Sequence, residues 1–339
     1  MTKTWLIYAL GGGWGHLNRA LSLGRLAANQ RKVKIITNSP YAHQIDNEGC
    51  FIYVIPENAG FSETCLQVRE ILCNTSYNRL IIDTFPRGLG GELADILPNL
   101  RHIPQILIHR DIKPRYIATK KLRSFVIDNF DKVIVPGEGE DLPFCDLPMV
   151  QHTAPWLIRN YWELPDRITM RSRILRVDQF VKTILVCVAG KKSELPLFGQ
   201  LALHLQQKFP DCAVRILAAT CPRECPETLW VSHHPGIECI AAADVVVGGA
   251  GYNTVYECAA VGVPLVALAL DRLYDRQERR AYKSYGVQNI ADVLFDDQLL
   301  CIDQTVSLLL EQAEPGKNSS VPSYINGAVQ AVDRIEQTQ

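Results

Sequence analysis

Twice in this chain a short apolar run breaks into glycines, and the glycines open a helix-like segment. The first is Leu6-Ile7-Tyr8-Ala9-Leu10 running into Gly11-Gly12-Gly13-Trp14-Gly15-His16, with Leu17, Leu21, Leu23 and Leu26 following at roughly helical spacing. The second is Asp244-Val245-Val246-Val247 running into Gly248-Gly249-Ala250-Gly251, followed by an apolar-periodic stretch to Ala260. Strand, tight loop and helix in that order are the repeating unit of a parallel α/β sheet, where ligands gather beyond the carboxyl ends of the strands. Glycines let backbone N–H groups come close to a ligand, and a helix N-terminus favours negative charge.

The stretches between the two loops keep the same rhythm. Short runs rich in Val and Ile at 33–36, 51–55, 80–82, 105–108 and 132–135, then at 184–188, 214–217, 244–247 and 264–270, read as buried parallel strands. Helical spacing appears at 17–26, 195–208, 253–261 and 304–312, and a last helix is expected over 325–335. A βαβ rhythm that runs twice in 339 residues implies two doubly wound domains. The join is expected in 147–165, where Pro, Trp and His cluster without periodicity. That gives domains at 1–155 and 156–322, with residues 323–339 as a C-terminal helix packing back on the first.

Composition narrows the class. A net charge of −1 gives no general attraction for nucleic acid. The first 160 residues carry +3 and the remainder −4, a mild bias of the first half toward an anionic partner. Eleven scattered cysteines without a C-x-x-C pair argue against a disulfide framework and for a reducing, cytoplasmic setting. Cys221, Cys225, Cys212 and the His233-His234 pair are the one grouping with any look of a metal site, and no metal is expected there. Glycines interrupt the apolar start after Leu10, so no leader peptide is expected; the apolar stretch 261–270 is about half a membrane span.

Chemistry-bearing residues collect at the predicted strand ends. His16 stands where the first loop becomes a helix, and a histidine can take up a proton near physiological pH. Asp83 ends the run Leu80-Ile81-Ile82; it is the base that deprotonates an acceptor, or the group that orients His16, or a cap on the loop that follows. In the late loop, Asn253 or Thr254 is placed to cap a helix, and the free N–H groups there suit a diphosphate. Glu257 lies one turn further on, where a carboxylate can accept from paired ribose hydroxyls; Asp275 and Gln277 follow the strand at 264–270. Six Lys or Arg and one acidic residue between His109 and Phe125, interleaved with Tyr116, Ile117 and Leu122, suit a phosphate-bearing acceptor or an anionic membrane surface. There is no Asp-x-Asp closing an apolar strand, no Gly-x-x-x-x-Gly-Lys-Ser/Thr loop and no Gly-x-Ser-x-Gly elbow.

Together these pieces resemble the GT-B glycosyltransferases of the MurG-like type (family 28). The first loop is similar to their Gly-Gly-x-Gly-Gly-His, with Trp14 where a glycine is usual. The late block is similar to their donor signature: Ala-Asp-Val-Val-Val, Ala-Gly, Thr-x-x-Glu, Gly-Val-Pro and Asp-Arg-Gln. The segment between Val231 and Asp244 is shorter than the one that contacts the base in that family. Gly15-His16-Leu17-Asn18-Arg19 also resembles the Gly-His-x-x-Arg element of UDP-sugar hydrolases of the PseG type.

The resemblance implies a GT-B fold, two doubly wound Rossmann-like domains facing a cleft. It implies transfer of a sugar, N-acetylglucosamine among the candidates, from a UDP-linked nucleotide-sugar donor to a lipid-linked or glycan acceptor. The transfer would be inverting and independent of metal and cofactor, with peripheral contact at the inner face of the cytoplasmic membrane. Carried over residue by residue, Gly190, Gly249, Ala250, Gly251, Asn253, Thr254, Glu257, Asp275 and Gln277 bind the donor. Gly12, Gly13, Gly15, Arg19, Arg87 and Arg110 meet the acceptor or its phosphate, and His16 or Asp83 is the base. The alternatives are a UDP-sugar hydrolase with water as acceptor and a nucleotide-sugar binder without turnover.

Overall fold

The computed structural model describes residues 3–139, 141–188, 190–273, 275–282, 284–290, 293–313 and 322–338. The chain divides into two compact units: residues up to Ile158 together with those from Ile325 onward, and Arg159–Tyr324.

The first unit is built on seven strands: β1 (Thr4–Tyr8), β2 (Lys32–Thr37), β3 (Phe51–Val54), β4 (Arg79–Asp83), β5 (Gln105–Ile108), β6 (Lys132–Pro136) and β7 (Val150–Thr153). All pair in parallel, in the order β3-β2-β1-β4-β5-β6-β7. The central strands are apolar along their whole length because both faces are covered; Leu6, Ile7, Ile81, Ile82, Ile106 and Leu107 are fully buried. Helix Trp14–Ala28 buries Leu17, Ala20, Leu21 and Leu23. The last helix, Gly327–Glu336, packs against it and against β6 and β7. Asn326 caps that helix by accepting from the Ala328 N–H and also accepts from the Leu157 N–H.

The second unit carries six parallel strands: β8 (Thr183–Cys187), β9 (Ala213–Leu217), β10 (Trp230–Val231), β11 (Val245–Gly249), β12 (Leu265–Leu270) and β13 (Tyr285–Ile290), in the order β10-β9-β8-β11-β12-β13. Helices Leu195–Lys208 and Asp296–Gln312 supply Phe198, Leu201, Leu205, Ile302, Val306 and Leu309 to one core with Val186, Val247 and Leu268. Helix Tyr252–Val261 ends on Gly262 at φ 72°, a left-handed conformation that glycine adopts without a Cβ clash.

Counted within each unit, both sheets thus share the strand order 3-2-1-4-5-6, the doubly wound arrangement, and the first adds β7 beyond it. Among the elements that the sequence reading lacks, three show why. Residues 150–153, expected inside an irregular join, form β7: Val-Gln-His-Thr is an edge strand with only Thr153 buried, so it has no apolar run to betray it. β13, Tyr-Gly-Val-Gln-Asn-Ile, is likewise a half-polar edge. Helix Phe61–Asn74 buries only Val68 and Leu72, too thin a stripe to read as periodicity.

Candidate active site

In a doubly wound sheet the ligand crevice opens where the winding reverses, between the carboxyl ends of the first and fourth strands. In the first unit those are β1 and β4, which lead into the Gly11–Gly13 loop and end on Asp83 respectively. Gly12 sits at φ 69°, and a Cβ on Gly11 would collide with the His16 ring. Only glycine therefore lets the imidazole rest on the loop. The N–H groups of Gly11 and Gly12 both donate to Asn38 Oδ1 at 2.9 Å, so the loop is held from the end of β2.

His16 Nδ1 lies 2.6 Å from Asp83 Oδ2. Arg19, one turn along the same helix, donates from Nε to Asp83 Oδ1 at 2.7 Å and from Nη2 to Oδ2 at 2.8 Å, and reaches Thr84 Oγ1 at 3.2 Å. Asp83 and Arg19 are each 2% exposed. Burial opposes ionisation of Asp83, but Arg19 and His16 outweigh it and hold the carboxyl well below the usual carboxylate range. An ionised carboxylate only accepts, so His16 Nδ1 carries the proton and Nε2 is left with a lone pair whenever the ring is neutral. The Phe85 ring flanks the imidazole at 5.5 Å between centroids.

The structure places several expected acceptor groups differently. Arg19 is committed to Asp83 and is no open phosphate ligand. The Gly12 N–H is taken by Asn38. Arg87 lays its guanidinium 4.5 Å over the Phe125 ring, and Arg110 is 3.6 Å from Glu138, both side chains nearly buried. Gly13 caps the start of helix Trp14–Ala28 and Gly15 lies in its first turn. Residues 109–125 are not one basic surface: His109, Arg110 and Asp111 are buried, and burial, reinforced by Arg110, pushes the His109 imidazole down to about 4. The exposed cations are Arg115, Lys120, Lys121 and Arg123, the last paired with Asp146 at 2.9 Å.

In the second unit the reversal falls between β8 and β11, whose ends are in register at Cys187 and Gly248. Gly190, Lys191, Lys192 and Ser193 follow β8; Ala250 to Thr254 follow β11. Gly251 is the N-cap of helix Tyr252–Val261 and no side chain caps it, so Asn253 and Thr254 are first-turn residues rather than caps. Gly249 closes β11, and Ala250 is fully buried. Its N–H donates to Leu268 O and its carbonyl accepts from Arg280, which removes that amide from the set expected for a diphosphate. Glu257 is 6% exposed, not a solvated surface acid, and Oε2 lies 4.0 Å from the point where a Gly236 side chain would begin. Gln277 opens helix Gln277–Ala281, accepts from Leu270 N at 3.2 Å and turns Nε2 toward Gly251. Asp275 is held by Arg280 at 2.5 Å.

Sequence reasoning missed the residues that fix these loops. Glu194 takes the Arg272 guanidinium through both oxygens, lashing the loop after β8 to the one after β12. Buried Glu92 accepts from Tyr8 Oη at 2.6 Å and from the Gly90 N–H at 2.8 Å, and Leu89 N–H donates to Tyr8 Oη. Among the described residues no group of three or more His, Cys, Asp or Glu is placed to hold a metal ion, and no helix is long and apolar enough to cross a membrane.

Solved structures similar to this chain share the architecture over its whole length. MurG from Acinetobacter baumannii is 15% identical, with a TM-score of 0.59 over 99% of each chain. CalG4, the calicheamicin glycosyltransferase, is 16% identical, with a TM-score of 0.58 over 99% of this chain and 98% of that one. UDP-GlcNAc 2-epimerase from Neisseria meningitidis, solved with UDP-GlcNAc bound, is 12% identical, with a TM-score of 0.63 over 99% and 100%. By sequence, no protein-family model and no curated protein matches the chain. The fold is GT-B.

Proposed function

We propose that this chain is a glycosyltransferase that moves a sugar from a UDP-linked donor, held by the second unit, to a hydroxyl of a lipid-linked or glycan acceptor, held by the first. The observation that carries the reading is the His16–Asp83 pair at the winding reversal of a fold that glycosyltransferases use. Asp83, ionised and with both oxygens engaged, positions the imidazole; His16 Nε2 is the base. It takes the hydroxyl proton as the acceptor oxygen bonds to the anomeric carbon and the bond to the diphosphate breaks, so configuration inverts. The start of helix Tyr252–Val261, with its N–H groups and positive dipole end, offsets the charge of the departing diphosphate without a metal. Glu257 accepts from the ribose hydroxyls, and Gln277 and Asp275 line the sugar, N-acetylglucosamine among the candidates.

Purified protein incubated with radiolabelled UDP-sugars, with and without a lipid extract, tests this directly. Label appearing in lipid or glycan is the expected result. Free labelled sugar as the only product assigns a hydrolase, and binding without turnover assigns a non-catalytic binder; either overturns the reading.

Two charge-assisted hydrogen bonds from ribose contribute on the order of 1.5–3 kcal/mol each. Glu257→Ala is thus expected to weaken UDP at least tenfold by calorimetry, and Glu257→Gln less. Unchanged UDP affinity in a folded variant removes Glu257 from the site.

Contact with an anionic membrane belongs, in this reading, to helices Pro114–Thr119 and Leu122–Asn129. Pro114, Ile117, Ala118 and Ile127 line an open hollow of about 590 Å³ rimmed by Lys121 and Arg123. Each cation near such a surface contributes roughly 1 kcal/mol, screened by salt. Sedimentation with acidic vesicles should fade at high salt and vanish when Lys120, Lys121 and Arg123 are reversed to Glu; vesicle binding that survives the reversal refutes this face.

A further inference from the structure

Three neighbouring strands of the second sheet end at the same edge in the order β8-β11-β12, and each runs into a loop. Residues 190–194 follow β8, Ala250 and Gly251 follow β11, and Asp271 and Arg272 follow β12. The ends of β8 and β11 are closely packed there: a Cβ on Gly248 would lie 3.0 Å from Cys187 O and 3.4 Å from Thr254 Cγ2. Glu194, 8% exposed, accepts from both terminal nitrogens of Arg272, one of them at 2.9 Å. The ion pair therefore spans the end of β11 and joins the loops on either side of it. The same carboxylate accepts from the Lys191 N–H at 3.4 Å, so the clasp also holds the backbone that carries this lysine. Lys191 and Lys192 are exposed, and among the described residues Lys191 has no ion-pair partner. Arg272 offsets the charge of Glu194. The turn after β8 is left with the charge of its lysines, at the edge where the start of helix Tyr252–Val261 already favours anions.

We propose that Lys191 binds the phosphates of a nucleoside diphosphate, and that the Glu194–Arg272 pair is the clasp that sets it there. This rests on the reading of the second unit as the donor side. An ammonium on a flexible four-carbon stem is a compact charge that stays with a diphosphate as it departs. Glu194 alone would do the opposite, because a carboxylate three residues from Lys191 in the same turn repels an anion unless a cation covers it. Arg272 is thus a positioning residue with two tasks, holding the turn and masking the charge. The cation at 191 acts on phosphate and not on ribose or base, which separates its role from that of Glu257.

Paired measurements of UDP and uridine isolate the phosphates without requiring turnover. UDP is read by calorimetry and uridine by ligand-observed NMR, on full-length protein whose fold is checked by circular dichroism. Lys191→Met is expected to weaken UDP about tenfold, the scale of a lost charge-assisted bond, and to leave uridine within about twofold. Lys191→Arg keeps the charge and should hold UDP within about threefold. Arg272→Met uncovers Glu194 and should weaken UDP by more than about tenfold, again with uridine unchanged. That variant strands a buried carboxylate and risks misfolding, so Glu194→Gln/Arg272→Met, which removes both charges, accompanies it. The double variant loses the clasp but not the lysine, and should bind UDP about three- to tenfold more weakly than wild type. UDP affinity unchanged in Lys191→Met, or uridine lost in parallel with UDP, overturns the lysine's assignment. UDP affinity of the double variant equal to wild type overturns the clasp. A wild type that binds uridine as tightly as UDP has no phosphate site here, and one that binds neither overturns the donor reading together with this proposal.

Discussion

His16→Ala is expected to lower kcat by 10²–10⁴, the usual contribution of a general base, while UDP affinity changes less than twofold. The ring touches Asp83, Gly11 and Phe85 in the first unit, whereas the groups proposed for UDP lie in the second. His16→Gln keeps a hydrogen bond to Asp83 without a basic nitrogen and should be as inactive as alanine. Asp83→Asn should also lose activity, by a different route: an amide no longer requires the proton on Nδ1, and the imidazole is free to turn its donor rather than its lone pair to the acceptor. If His16→Ala keeps full activity while Asp83→Asn is dead, the assignment of base and orienting residue is wrong.

How much of this was legible in the sequence follows from how local each signal is. Strand-to-glycine-to-helix transitions are local, so the Gly11–His16 and Gly248–Thr254 loops stood out, and strand order then carried Asp83 to the same edge as His16. What charges face is not local. Arg19 reads as an open cation until the fold brings Asp83, 64 positions away, against it. Nothing in the spacing pairs Asn38 with Gly11, Tyr41 with Trp14 or Glu92 with Tyr8, yet these contacts hold the loops at the carboxyl edge of the first sheet. The cap of the late helix was misplaced for a smaller reason. Gly251 in extended conformation begins the helix two residues before Asn253, without a side chain to mark it.

Breaking the Arg19–Asp83 pair from either side should have the largest effect on stability. Both side chains are essentially removed from water, and a guanidinium left without its carboxylate is an uncompensated buried charge. Asp83→Leu is expected to cost about 3–5 kcal/mol in chemical denaturation, and Arg19→Met a comparable amount because it strands the carboxylate on His16 alone. The double variant Arg19→Met/Asp83→Leu buries no charge, so it should be clearly more stable than the two single costs added together. The pH dependence has a definite sign. The folded carboxyl is held low, so the pair's stabilisation is in place above the unfolded carboxylate range, about pH 4, and is lost as pH falls through the lower folded value. Wild type should therefore lose this contribution only in strong acid, whereas the double variant has none to lose. Additive costs in the double variant would show that the pair is not coupled, and that Arg19 is held by the helix rather than by Asp83.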